Sequence, residues 1–142
     1  MSEPTANEMK TFNQSVIDEF RANGGETSGP FAGAPLLLLT STGAKSGEPR
    51  VSPVVHTRDG DRYIIIASKG GADTNPNWYH NLVANPRATI EVGTDTVEVE
   101  ATVAAGDERT RLFDAQAALM PNFTEYAQKT TRQIPVFILT PV

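Results

Sequence analysis

The chain has 142 residues, 39% of them hydrophobic and 20% charged, with no cysteine and a formal net charge of −5. That length accommodates one domain with its own core, and the missing cysteines exclude disulfides, thiolate nucleophiles, iron–sulfur clusters and cysteine-based zinc sites. An acidic balance disfavours nucleic acid as a partner; no apolar run nears the roughly 20 residues of a membrane-spanning helix, and the polar N-terminus is unlike a signal peptide, so a cytoplasmic protein is expected.

Residues 5–23 predict an amphipathic helix, with Met9, Phe12, Val16 and Phe20 on one stripe and Lys10, Asn13, Gln14, Asp18 and Arg21 elsewhere. Thr5 with Glu8 fits a capping box, and Gly24-Gly25 ends the segment, so residues 1–25 read as an N-terminal helix ahead of a barrel over 30–142. Packing against the domain is the expected role of this helix; peripheral contact with a membrane or a lipid substrate is the sharper alternative, for which Lys10 and Arg21 supply few cations.

After the Gly-, Pro- and Ser-rich loop 24–35 come five strands, expected at 36–42, 50–58, 63–67, 87–93 and 96–104. Asp59-Gly60-Asp61 and Gly93-Thr94-Asp95 mark tight hairpin turns, and the alternation from Thr96 onward implies a strand with one wet face. Asp107–Leu119 reads as a helix with Leu112, Ala115 and Leu119 inward; Pro121 stops it, and Asn122 is placed to cap a short helix bearing Phe123 and Tyr126. The run from Ile134 to Leu139 is a sixth strand, with Pro135 near its start. Strands in hairpin order without an alternating helix after each one predict a single mainly β (α+β) domain, a six-stranded antiparallel barrel with an N-terminal helix and capping helices.

The densest chemistry lies in Ala67–Leu82, where a buried strand breaks into Lys69-Gly70-Gly71 and feeds a helix behind Asn75-Pro76, with Asn75 expected as N-cap and Pro76 as first helical residue. Trp78, the only Trp, and His80, one of two His, follow at once, together with Asn77 and Asn81. Such a junction brings backbone N–H groups and a cation to an anionic or electron-rich planar ligand. Residues 40–70 as a whole hold five cations against three acids in an otherwise acidic chain, which suggests an anionic small molecule. Gly43-Ala-Lys45-Ser46-Gly47 lacks the spacing of a phosphate loop and has no helix after it, so it reads as a hairpin turn whose hydroxyls and N–H groups, with Lys45 and Arg50, can converge on a phosphate or carboxylate. His56 and His80 stand apart without a metal-binding frame, and no nucleophile elbow or acid pair is present; His80 is expected to be structural or supporting. A bound cofactor would then carry the hard step.

The ordered set Thr42-Gly-Ala-Lys-Ser-Gly47 with Arg50, Asp59-Gly-Asp-Arg-Tyr63, Ala67-Ser-Lys-Gly-Gly71, Pro76-Asn-Trp-Tyr-His-Asn-Leu82, Ala84-Asn-Pro86 and Arg132-Gln-Ile-Pro-Val136 resembles the deazaflavin-dependent nitroreductase family. The resemblance implies a split β-barrel, like that of the FMN-binding reductases, and reduced coenzyme F-420, a deazaflavin with a phosphate and an oligoglutamate tail. It implies hydride transfer to electron-poor small molecules such as enones, unsaturated lactones, quinones and nitroaromatics. It assigns Lys45, Ser46 and Arg50 to the phosphate, Ser68, Lys69, Gly70 and Gly71 to the ring, and Pro76, Trp78 and Asn81 to closure around ring and linker. Tyr126 would orient or protonate the acceptor, with Ser68 giving electrostatic help, and Phe123 and Val54, with Val55 beside it, would make the pocket wall apolar. Phe123 stands where some relatives carry a second tyrosine. The competing readings are an FMN-dependent split-barrel oxidoreductase, a non-catalytic carrier of the coenzyme, and a lipocalin-like barrel that would need eight strands. The sequence leaves the oligomeric state open.

Overall fold

Six segments pair antiparallel into a closed barrel: β1 (Leu36–Thr42), β2 (Pro49–Asp59), β3 (Arg62–Ile66), β4 (Arg87–Val92), β5 (Asp95–Val103) and β6 (Val136–Pro141), in the spatial order β1–β2–β3–β6–β5–β4. The computed structural model describes residues 6–27 and 35–142. Alternation decides what faces inward: Leu37, Leu39, Tyr63, Ile65, Phe137 and Leu139 meet inside the barrel. Leu39 is fully buried, and truncating such a leucine to alanine costs about 2–5 kcal/mol.

Four α-helices among the described residues cover the barrel. The helix α1 (Ala6–Ala22) lays Val16, Ile17 and Phe20 on the outer face of β1, against Leu36 and Leu38. The helix α2 (Asn77–Ala84) adds Trp78 and Leu82 to the barrel core. The helices α3 (Gly106–Leu119) and α4 (Asn122–Lys129) cover the outer residues Ile64, Ile66, Val136 and Ile138 of β3 and β6. The apolar stripe of α1 is thus turned on the barrel, and no described helix is long and apolar enough to cross a membrane.

One mismatch of length shapes the molecule. β2 has 11 residues but pairs with β1 only over 49–55 and with β3 only over 56–59. Continuing the register would put Ile66 beside Val55 and Ala67 beside Val54, yet the ladder stops at the His56–Ile65 pair. The first half of β2 therefore has one side that no described strand pairs with. Six steps along a strand, from Val55 to Pro49, make that opening about 20 Å long.

The first five strands agree with the expectation to within a residue at each end; the sixth, expected from Ile134 to Leu139, is shifted two residues on to Val136–Pro141, leaving Pro135 just before it. The caps differ. α2 begins at Asn77 with Pro76 as its N-cap in extended conformation, because the Asn75 side chain is taken by Arg132. α4 begins at Asn122, with Pro121 before it, and the Asn122 amide reaches Tyr126 instead of capping. In α1, Ile17 joins the buried stripe while Phe12 stays 39% exposed; the Met9 side chain and the Thr5–Glu8 capping box lie outside the described residues. In α3, Ala115 and Leu119 point outward, and Phe113 and Gln116 share the inner face with Leu112, since the helix rests on β2 through a Thr57 hydroxyl that donates to Gln116 Oε1 at 3.0 Å.

His56 is buried next to Tyr63, their ring centroids 5.9 Å apart, and among the described residues its Nδ1 has no hydrogen-bond partner. Burial, with the nearby Arg58 guanidinium adding to it, pushes the imidazole below its ordinary pKa of 6.5. The unfolded chain then binds a proton that the folded chain refuses. Its contribution to stability is complete above pH 6.5 and is lost as pH falls from there through the lowered folded value. Urea midpoints at pH 7.5 and 5.5 should therefore fall further for the natural chain than for His56→Gln, which has no proton to take; equal falls would show that His56 is not the source.

Candidate functional site

Where β3 ends, the chain makes a single 3-10 turn over Lys69–Gly71. Ser68 is right-handed helical (φ −75°, ψ −36°) and Lys69 left-handed (φ 48°), a succession that turns consecutive N–H groups toward one side. A side chain at such a φ costs about 1–2 kcal/mol, so something else must hold it there. The turn closes with Gly71 N–H donating to Ser68 O at 3.0 Å and Ala72 N–H to Lys69 O at 3.2 Å. Lys69 leans over the loop, its Nζ 3.2 Å from Thr74 Oγ1.

The larger restraint comes from behind. Arg132 donates from Nε to Ala72 O (2.9 Å), from Nη1 to Asn75 Oδ1 (2.8 Å), and from Nη2 to the carbonyls of Ala67 (3.1 Å), Ser68 (3.0 Å) and Thr74 (3.1 Å). Two residues earlier, Thr130 Oγ1 donates to Asp73 Oδ1 at 2.8 Å. α4 presses on the same loop at Gly71 (φ 87°), where a Cβ would stand 3.0 Å from Lys129 Cβ and 3.1 Å from Tyr126 Cα.

α2 joins this loop to the β1–β2 turn. Asn81, buried, donates through Nδ2 to Ser41 Oγ at 3.1 Å and accepts the Ala44 N–H on Oδ1 at 2.9 Å. The turn itself is tight: Gly43 N–H donates to Glu48 O at 2.8 Å, and a Cβ on Gly43 would collide with Ser46 Oγ. Lys45, Ser46 and Arg50 are exposed around it. Among the described residues Lys45 has no ion pair, and Arg50 has only Glu48, at 3.6 Å with both side chains more than half exposed. An exposed pair of that kind contributes little, which leaves both cations available to an anion.

On the other flank, α4 buries Phe123 edge-on to the half-buried Tyr126, ring centroids 5.3 Å apart. The Asn122 Nδ2 donates to the Tyr126 hydroxyl oxygen at 2.9 Å, so the phenol's own O–H is left to donate elsewhere. Val55, on the outer face of β2, packs against both this cluster and that of α1.

The structure therefore brings Ser68, Lys69, Gly70 and Gly71 together with Tyr126 and Phe123 on one side, and Lys45, Ser46 and Arg50 with Asn81 on the other. An expected wall residue, Val54, and one expected to close around the ring and linker, Trp78, are taken into the barrel. Val54 points into the barrel among Leu37 and Tyr63, because alternation along β2 gives the outer face to Val55. The Trp78 ring is 8% exposed and packs at 67° to Phe137, 5.6 Å between centroids, so it belongs to the core. His80 is exposed, edge-on to Tyr79. Asn81 spends both ends of its amide on the protein itself. Arg132 and Asn122 carry roles that sequence reasoning missed. The trace of the first was there: no Asp or Glu follows Glu125, so Arg132 has no neighbouring acid along the chain. A cleft of about 190 Å³ lined by residues of β1, β4 and β5 reaches Pro49 of β2 and shares Ser41 with the Asn81 bridge, but no residue with the Ser68–Gly71 loop.

Residues 13–141 match the family model described as F420H(2)-dependent quinone reductase. The chain is 42% identical over 125 residues to a protein of Mycobacterium tuberculosis (strain H37Rv) named F420H(2)-dependent quinone reductase, covering 85% of this chain and 84% of that one. Among solved structures, an F420-H2 dependent reductase, FDR-A, superposes with a TM-score of 0.69 at 38% identity over 74% of this chain and 93% of its own. Another, described as a domain-swapped dimer, gives 0.71 at 32% identity over 95% and 99%.

Gly71→Ala tests how strictly α4 is seated on the loop. Gly60 also has a positive φ, of 66°, but open space where a Cβ would go, so Gly60→Ala measures backbone strain alone. The Gly71 variant should lose about 1–3 kcal/mol and melt below the Gly60 variant; equal melting temperatures would remove the packing constraint.

Proposed function

Because the chain belongs to the F420H(2)-dependent quinone reductase family, we propose that its open β2 edge receives the reduced coenzyme lengthwise, phosphate toward Lys45, Ser46 and Arg50 and ring toward Ser68–Gly71. The protein is a reductase that uses reduced coenzyme F-420, and its other substrate is a small molecule. The observation that carries the binding mode is the bridge made by Asn81 and α2, which ties the cation-bearing turn to the Gly-rich loop at opposite ends of an opening about 20 Å long. The residues suit such a guest. A phosphate needs cations that are not already paired, and Lys45 and Arg50 qualify. A flat ring needs close approach to backbone donors, and the right-handed, left-handed succession at Ser68–Lys69 would turn N–H groups toward it.

When bound, reduced F-420 supplies a hydride. The protein's part is placement and charge. With the coenzyme bound, Ser68 and the N–H groups of the turn it opens would favour negative charge on it. Tyr126, its oxygen already accepting from Asn122, holds an O–H proton for the oxygen or carbon of the reduced acceptor. For a quinone the sum is one hydride and one proton added to give a hydroquinone. Val55 and the half-buried Tyr126, backed by the buried Phe123, would make an apolar wall suited to flat, weakly polar acceptors, so enones, unsaturated lactones and nitroaromatics belong to the same proposal.

Two measurements test the reading. Titration of reduced F-420 should give a dissociation constant roughly ten- to a hundredfold higher for Lys45→Ala/Arg50→Ala than for the natural chain; unchanged binding would refute the phosphate assignment. Tyr126→Phe should lower kcat with menadione by about a hundredfold while coenzyme binding holds, the magnitude expected of a lost general acid. Unchanged kcat would hand the proton to water.

A further inference from the structure

Arg132 is the most heavily hydrogen-bonded side chain of the site, yet among the described residues no carboxylate pairs with it. All five of its acceptors are neutral oxygens, four of them backbone carbonyls of residues 67–74. A guanidinium is suited to this because its donors lie in a fixed planar fork. Drawing the carbonyls of Ala67, Ser68, Ala72 and Thr74 to a single point fixes which way each peptide faces. It also accounts for Lys69, whose left-handed φ has no glycine to make it easy. Strain of that kind persists only where surroundings over-determine it.

We propose that Arg132 is the positioning residue of the site: it holds the Ser68–Gly71 loop in its right-handed, left-handed succession, with carbonyls drawn back and N–H groups presented to the coenzyme. Its uncompensated charge favours an anionic guest on the loop's far side. The same segment fixes the distance between loop and acceptor side, since Thr130 donates to Asp73 and the Arg132 N–H donates to Thr130 Oγ1 at 3.3 Å, while Gly71 bears on Tyr126 and Lys129. Loop and α4 are thereby one body, pinned by Arg132. The coenzyme's part in this rests on the proposed function; the loop's geometry does not.

The test compares the natural chain with Arg132→Gln and Arg132→Lys by amide hydrogen exchange without coenzyme, followed by titration with reduced F-420. Exchange at Gly71 and Ala72, whose N–H groups close the 3-10 turn, should quicken at least about tenfold in Arg132→Gln while Leu39 and Ile65 in the barrel keep their protection. Arg132→Lys keeps the charge but offers three donors from one atom, and should fall between the two. The coenzyme's dissociation constant should rise in the same order. Unchanged exchange at Gly71 and Ala72 would overturn the proposal. So would a parallel loss of protection in loop and barrel, which would make Arg132 a support of the whole fold. Should Arg132→Gln not fold, Arg132→Lys carries the same comparison. Failure of the natural chain to bind F-420 would sink the functional reading and leave the exchange result to decide Arg132.

Discussion

A strand of 11 residues set between neighbours of seven and five cannot be paired along both sides throughout, and that constraint organises this molecule. β2 gives its first half to β1 and its second half to β3, so the sheet must part where β3 turns away. Everything chemically distinctive collects at the parting. The turn carrying Lys45 and Arg50 closes one end, the Ser68–Gly71 loop the other, and α2 runs between. The barrel elsewhere is closed, with its interior filled by aliphatic and aromatic side chains, so the parting is a local feature of a rigid frame.

Holding two loops at a fixed separation is a harder task than building the barrel. Hydrophobic burial is not directional and cannot set the facing of a peptide plane; hydrogen bonds can. The site accordingly relies on two polar side chains with several acceptors or donors each. Asn81 uses both ends of one amide on the β1–β2 turn, and Arg132 collects the carbonyls of the opposite loop. Neither needs to touch a ligand to decide where one sits. The groups proposed to meet the ligand can then stay simple: backbone, a serine, two exposed cations and a tyrosine.

The sequence made the strands legible because their patterning is local: Leu36–Thr42 and the alternating run from Thr96 announce themselves by period. The hairpin turns at Gly60 and Gly93 were legible for the same reason. Caps and faces were read less well, since these depend on partners distant in the chain. Asn75 has every local reason to cap α2, but a guanidinium 57 residues away takes its oxygen. Leu119 fits a helical stripe, but α3 turns Gln116 inward because Thr57 of β2 is there to meet it. The motif around Arg132 was visible as a motif, while its role was not, because five carbonyl and amide acceptors leave no mark on composition. Val54 and Val55 were adjacent candidates for one wall, and only the register of β2 separates the one inside the barrel from the one outside.

The unpaired side of β2 has a second meaning. Exposed strand edges invite a strand from another chain, and closed barrels otherwise avoid that hazard. Here the unpaired edge contains Pro49 and Pro53, neither of which has an N–H to offer an incoming strand. A planar guest needs only a surface and a few donors, whereas an added strand needs an unbroken ladder. The two prolines therefore let the edge proposed to take a small molecule resist polymerisation, and replacing them would open it to a competitor made of protein.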